Sequence, residues 1–373
     1  MNILFLSVTA GQGHNATAKG VMQRMEDRGH ICKFLDTFDY IQPILGSVVD
    51  KGYRSWISLT PEGFGRAYDL LEKAEQKLPD FTDLNERVTA RISKKFIDVY
   101  ESFQPDVVVS SHPTAAQLSS AIYHRGISSA ARIGILTDFV LHPTWRGADL
   151  DKLVIPSEQM TYSLVQAGIR EDILCGTGIP IGEKFSVSIP KEEARAMLSI
   201  PNIPTLLVMG GSMGHGDMVS TIEKLDKLPL DFQMLVVCGS NEKLKAKLDT
   251  LSTVKNLKVF GFVHNVDELM SASDLIVTKP GGLTSSEALA KGLPMVVVDP
   301  IPGLEERNLD FLTNHGLAMR ANERMSLDYV VWQYLSSPER QRLMKESIAA
   351  FGKKNALHDM VKLIESYDKA PHA

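Results

Sequence analysis

Cysteine is scarce in this chain. Cys32, Cys175 and Cys238 are the only three in 373 residues, far apart and never in CxxC spacing. That argues against a disulfide framework and a thiolate zinc site, and it suits a reducing cytosol. Long apolar runs are also missing. None approaches the roughly 18 residues of a membrane-spanning helix. The start, MNILFLSVTA, has neither the basic residues nor the apolar length of a secretory signal. A cytoplasmic protein is therefore expected, with any membrane contact peripheral. Nor is there an excess of positive charge. Lys and Arg number 40 against 45 Asp and Glu, a formal net charge of -5, so nucleic-acid binding driven by bulk charge is not expected.

What is present is a succession of short β-branched apolar runs alternating with helical segments. One set is Ile3–Val8, Ile31–Leu35, Asp106–Ser110, Arg132–Leu136, Leu153–Ile155 and Ile173–Cys175. A second is Thr205–Met209, Gln233–Val237, Leu257–Phe260, Leu275–Val277, Met295–Val298 and Leu317–Met319. Most are continuous rather than alternating, as in parallel strands buried on both faces. Strand–helix alternation indicates βαβ units. The fold class is therefore α/β, with two Rossmann-like, doubly wound domains in tandem facing a central cleft. Gly176, Gly178, Pro180, Gly182 and Pro190 break regular structure between the sets. The first domain is placed at 1–180 and the second at 181–350. A tail helix in 351–373 is expected to pack back on the first domain.

Ligands of open α/β sheets bind beyond the carboxyl ends of the strands, and the polar motifs stand there. After the first strand comes Gly11-Gln12-Gly13-His14-Asn15. It is neither a G-x-G-x-x-G fingerprint nor a Walker loop. Gly11 and Gly13 allow tight turns and close approach of a ligand, and His14 is a candidate base or substrate ligand. In "SSHPT", His112 follows the third strand; in "TDFVLHPTW", Asp138, His142 and Trp145 follow the fourth. Each is also an ordinary loop residue. The second domain opens with Gly210-Gly211-Ser212, whose amides suit a diphosphate; the nearby His215 reads as a bystander. Its most specific stretch is "TKPGGLTSSEALAKGLPMVVVDPIPGLEERN". Gly281 and Gly282 stand before a helix whose dipole favours an anion. Glu287, one turn in, suits the hydroxyls of a ribose. Glu305 and Asn308 suit sugar hydroxyls.

Taken in order, these segments resemble the family of plant-type monogalactosyldiacylglycerol synthases, bacterial processive diacylglycerol glucosyltransferases and, more distantly, the peptidoglycan GlcNAc transferase. "KPGGLTSSEALAKGLPMVVVDPIPGLEERN" carries the nucleotide-sugar signature, with "SVTAGQGHNATA", "LTDFVLHPTW" and "MGGSMGHGD" in support, over residues 1 to about 320. The resemblance implies a GT-B fold and an inverting hexosyltransferase moving a sugar from a UDP-sugar to diacylglycerol or a glycosyldiacylglycerol. It also implies no metal in the site, in keeping with the lack of metal-ligand spacings, so no cofactor is expected. By resemblance, Gly281, Gly282, Leu283 and Thr284 would hold the diphosphate and Glu287 the ribose. Glu305 and Asn308 would contact the sugar, and Gly211, Ser212, Phe262 and Val263 would line the diphosphate and uracil regions. His14 would be the base, Asp138 its rival or the group that orients it, with Gly13 beside the substrate. Leu304 stands where the family often has Gln, which puts sugar preference in question.

The acceptor implied lies in a membrane. Residues 40–77 mix apolar and aromatic side chains, Tyr53, Trp56 and Phe64 among them, with Lys51, Arg54, Arg66, Lys73 and Lys77. Such a mixture suits the surface of an anionic membrane, at the inner face of the cell membrane, with His142 and Trp145 near the acceptor. Two other readings remain open: a UDP-GlcNAc-dependent transferase with another lipid acceptor, and a non-catalytic UDP-sugar-binding protein.

Overall fold

The computed structural model describes residues 1–8, 12–37, 40, 92–214 and 216–368. The candidate membrane residues Tyr53, Trp56 and Phe64 lie outside them, as do Gly11 and His215.

The chain divides into two compact units. The first comprises Met1–Gly182, Pro302–Leu304 and Asn355–Ala373; the second comprises Glu183–Ile301 and Glu305–Lys354. In chain order the first unit carries β1 (Asn2–Ser7), α1 (Gln12–Asp27), β2 (Ile31–Asp36), α2 (Lys94–Phe103), β3 (Val107–Ser110), α3 (Pro113–His124), β4 (Ala131–Ile135), β5 (Lys152–Val154), α4 (Thr161–Gln166) and β6 (Leu174–Cys175). The second carries α5 (Lys191–Met197), β7 (Thr205–Met209), α6 (Met218–Asp226), β8 (Gln233–Val237), α7 (Glu242–Asp249), β9 (Leu257–Phe260), α8 (Val266–Ala272), β10 (Leu275–Thr278), α9 (Gly282–Ala290), β11 (Met295–Val297), α10 (Leu304–Asn314), β12 (Ala318–Arg320), α11 (Leu327–Leu335) and α12 (Pro338–Phe351). A last helix, α13 (Ala356–Glu365), belongs to the first unit. Every strand read from the apolar runs is present, each within one residue of its expected ends.

Among the described residues both sheets have six strands, and every pairing is parallel. This is why the runs are continuous: β3, β7 and β8 are buried at every position, because helices cover both faces. The first sheet is ordered β2-β1-β3-β4-β5-β6 and the second β12-β11-β10-β7-β8-β9. In each, the winding reverses once. The reversal falls between β1 and β3 in the first sheet and between β7 and β10 in the second. A crevice opens at the carboxyl ends of such a strand pair, so the order of strands alone nominates two places for ligands.

In the first unit, α13 buries Leu357, Met360, Val361 and Ile364 in one core with Ile3, Phe5, Ala18, Val21 and Met25 of β1 and α1. Arg28 closes the contact with a two-pronged hydrogen bond to Glu365, at 2.5 and 3.0 Å. No helix among the described residues is long and apolar enough to cross a membrane.

Candidate active site

The crevice of the first sheet is furnished with side chains. His14 stands in the first turn of α1, directly after β1. Its Nδ1 lies 2.8 Å from the carbonyl oxygen of Ser111, which follows β3, and 2.9 Å from Oγ1 of Thr137, which follows β4. A carbonyl can only accept, so Nδ1 carries the proton and Nε2 keeps its lone pair. The anchor is itself braced. Ser111 Oγ is 2.9 Å from Ser7 Oγ, and Ser7 Oγ is 2.6 Å from Asn15 Oδ1. Burial pushes the His14 pKa below 6.5, opposed by the Asp138 carboxylate and the Ser111 carbonyl. His14 is therefore neutral at pH 7.

His112 meets His14 edge to face, with ring centroids 5.0 Å apart. It caps α3, its Nδ1 accepting from Thr114 N–H at 3.2 Å. Burial, then the neighbouring His14 and His142, holds its pKa well below 6.5. His142 likewise caps the short turn Pro143–Gly147 through Thr144. Trp145 is placed differently from the sequence expectation. It is 3% exposed and packs so closely on Gly134 that a side chain there would collide with it. It is a core residue, not a surface for an acceptor. Gly13 sits inside α1 rather than in a turn, and a Cβ there would meet nothing within 4 Å.

The crevice of the second sheet is furnished mainly with backbone. Gly211 (φ +73) and Gly214 (φ +60) bend the segment after β7. Gly239 (φ +57) lets the segment after β8 close on it, with Ser240 N–H donating to the Ser212 carbonyl at 2.9 Å. A Cβ on Gly239 would collide with that carbonyl, and one on Gly214 with the Cys238 carbonyl. Ser212 is left exposed. After β10, Gly281 caps α9 with no side-chain bond. The amides of Gly282, Leu283 and Thr284 are thus the open N-terminus of a nine-residue helix, a place for an anion. Phe262 and Val263 follow β9; Phe262 is 59% exposed, edge-on to His264.

Lys279, which the sequence reading left out of the site, lies amid these loops. Its Cε would sit 3.1 Å from a Cβ on Gly211, and its Nζ 3.7 Å from one on Gly281. Nζ is paired with Glu305, whose other oxygen accepts from Ile301 N–H at 2.9 Å. Glu305 is 9% exposed and thus holds the site's cation and turn. Asn308 also departs from expectation: it is fully buried, its amide donating to the Pro280 carbonyl at 3.1 Å. It braces the Gly281 loop and has no surface for a sugar. Glu287 faces the charges of Lys184 and Asp267. Burial raises its pKa to about 8, against Lys184 and with Asp267. Ser111 and Thr137 were likewise missed; their one signal is that each stands within two residues of the end of β3 or β4.

Two parallel, doubly wound units, each with its polar furniture at a point of reversed winding, define a protein of the GT-B class. Along its length the chain is similar to the crystal structure of Acinetobacter baumannii MurG, with TM-score 0.63, 16% identity, and 98% and 99% of the two chains covered. Residues 14–181 match the family model of monogalactosyldiacylglycerol synthase, and residues 205–363 that of the glycosyltransferase family 28 C-terminal domain. Between them these two models span most of the chain, which is thus similar to monogalactosyldiacylglycerol synthases in its first part and to family 28 glycosyltransferases in its second. It is 26% identical to a processive diacylglycerol β-glucosyltransferase of Bacillus pumilus over 98% of this chain and 95% of that one. To the protein of the same name in Bacillus subtilis it is 27% identical, over 93% and 90%.

Proposed function

We propose that this protein moves a hexose from a UDP-sugar to diacylglycerol or a glycosyldiacylglycerol at a membrane surface, inverting the anomeric centre. The observation that carries the reading is His14: a neutral imidazole with Nδ1 tied to a carbonyl and Nε2 left as a base. The two family-model matches and the relatives' printed activity support the substrate class.

The acceptor hydroxyl gives its proton to His14 Nε2 as its oxygen bonds to the anomeric carbon. The bond from that carbon to the diphosphate breaks, and UDP leaves with the electron pair. Imidazole suits this work near neutrality. The charge growing on the diphosphate falls to the amides of Gly282, Leu283 and Thr284 and to the ammonium of Lys279, in the manner of a preorganised oxyanion site. Glu287 accepts from the ribose hydroxyls. Gly211 and Ser212 lie along the diphosphate, with Phe262 and Val263 toward uracil. Asp138 favours the imidazolium formed on proton transfer.

The test is a donor screen. UDP-glucose, UDP-galactose and UDP-GlcNAc are each supplied with vesicles containing diacylglycerol, and lipid products and UDP are separated by chromatography. A hexosyl lipid formed together with UDP is expected. UDP binding without product from any donor would overturn the enzymatic reading.

A further inference from the structure

A cavity in the second unit lies away from the glycine loops. It holds about 160 Å³ and sits where β10 and β11 begin, beside Asp274 and Pro294, whereas Gly281 and Gly282 stand where β10 ends. Helix α9 runs from one place to the other, with Gly282 at its start and Ala290 on the cavity wall. None of the donor-site residues lines it.

Its chemistry is one-sided. Lys191, Lys291, Lys345 and Lys354 line it, with Asp274 as the one acidic residue among the described residues of its wall. That carboxylate is already occupied: Oδ1 takes Lys191 at 2.5 Å, and Oδ2 takes Arg195 at 2.7 Å and Thr205 N–H at 2.8 Å. Lys291 spends one donor on the Val187 carbonyl, at 2.7 Å, and keeps two. Lys345 and Lys354 are exposed and have no carboxylate partner among the described residues. The Lys354 backbone is pinned to the rim by Ser186 Oγ at 2.6 Å. Burial, with the charges of Lys184 and Lys354 and against that of Asp267, disfavours the Lys291 ammonium, and an anion bound beside it offsets that cost. Cavities of about 150 Å³ admit a molecule the size of benzene, and sites for drug-sized ligands run to about 300 Å³ and more. The occupant is therefore smaller than a nucleotide.

We infer that this cavity is a second anion site, taking one phosphate group with a few attached carbons, as in a glycerol phosphate. A free phosphomonoester and a lipid headgroup present the same phosphate chemistry to it. The inference stands apart from the donor-site reading, since it shares no residue with it.

The experiment titrates the full chain with glycerol 3-phosphate by calorimetry, with UDP in excess to fill the glycine loops. In parallel the chain is floated with phosphatidylglycerol vesicles and with phosphatidylcholine vesicles. Each measurement is repeated on the double variant Lys345→Glu, Lys354→Glu. Both side chains are exposed, so the fold survives, and unchanged UDP binding confirms it. The expected result is saturable binding that weakens about tenfold or more in the variant, since each lost charged hydrogen bond weighs about that much. Variant-sensitive binding of glycerol 3-phosphate alone identifies a free ligand. Variant-sensitive binding of phosphatidylglycerol but not phosphatidylcholine vesicles identifies a headgroup. No binding in either arm, or binding indifferent to the variant, overturns the inference.

Discussion

The two sheets solve different problems with the same winding. At the β1–β3 reversal the crevice is lined by side chains: Ser7 and Ser111 brace the segment whose carbonyl fixes His14, and Thr137 meets the same ring nitrogen. At the β7–β10 reversal it is lined by main chain, opened by glycines in the left-handed region and by an uncapped helix start. The difference fits the charge each would handle under the proposed function. A proton must be taken by one atom of suitable basicity, which only a side chain offers. A diphosphate carries its charge over many oxygens, and several amides match it without any one being basic. The first crevice should therefore be sensitive to side-chain identity and the second to added atoms.

The largest effect is expected at His14. His14→Ala should lower turnover by about 10²-fold or more while UDP affinity, measured by calorimetry, stays within about twofold. The pH profile sharpens this. The His14 pKa is lowered by burial, so its base form persists as pH falls to 6.5 and is lost only below. Turnover should be flat from neutrality down to that point and then decline. Asp138 raises the His14 pKa, so Asp138→Asn should move the decline to lower pH. Abolished turnover in Asp138→Asn, with His14→Ala still active, would hand the role of base to Asp138.

Next is the main-chain crevice. In Gly239→Ala the new methyl meets the Ser212 carbonyl, and its φ of +57 is unfavourable for alanine. The segment after β7 must shift. About 1–3 kcal/mol of stability should be lost in thermal unfolding, with UDP affinity falling about tenfold or more as the amides move apart. An unchanged UDP affinity would mean that the Ser212 segment does not line the nucleotide.

These contrasts also explain what the sequence shows and what it hides. Runs such as VVVS and TLLVM are buried on both faces, so apolarity alone marks them as parallel strands. Glycines after strands point to main-chain sites because few other residues take those angles. Helix faces are harder. Glu305 and Asn308, one turn apart on α10, share a face, but spacing does not say toward what. In the structure that face turns inward, to Lys279 and to the Pro280 carbonyl. Trp145 misleads in the same way: an aromatic in a polar loop is as able to seal a core as to meet a lipid. Lys279 escapes notice because a lysine after a strand is commonplace; its meaning comes from Gly211 and Gly281 on either side.

A smaller effect, about tenfold in UDP affinity, is expected at Glu287, the side chain proposed for the ribose. Its pKa near 8 means the free protein holds a proton that the unfolded chain releases near 4.5. Stability from this group is thus full at low pH and is lost as pH rises from about 4.5 through 8. Glu287→Gln should raise the melting temperature at pH 8 relative to the parent and change it little at pH 5. Ribose hydroxyls donate best to the ionised carboxylate, so UDP affinity of the parent should rise with pH up to about 8 more steeply than that of the variant. Parallel slopes in the two proteins would remove Glu287 from the ribose.

The smallest effect tests whether empty space in the first crevice belongs to a ligand. A Cβ at Gly13 touches nothing, and its helical position favours alanine. Gly13→Ala should therefore stabilise the protein by about 0.5 kcal/mol, the opposite of Gly239→Ala. If the acceptor or donor passes close to the start of α1, the same methyl should reduce turnover severalfold despite that gain. Raised stability with full turnover would show that the room beside Gly13 is unused.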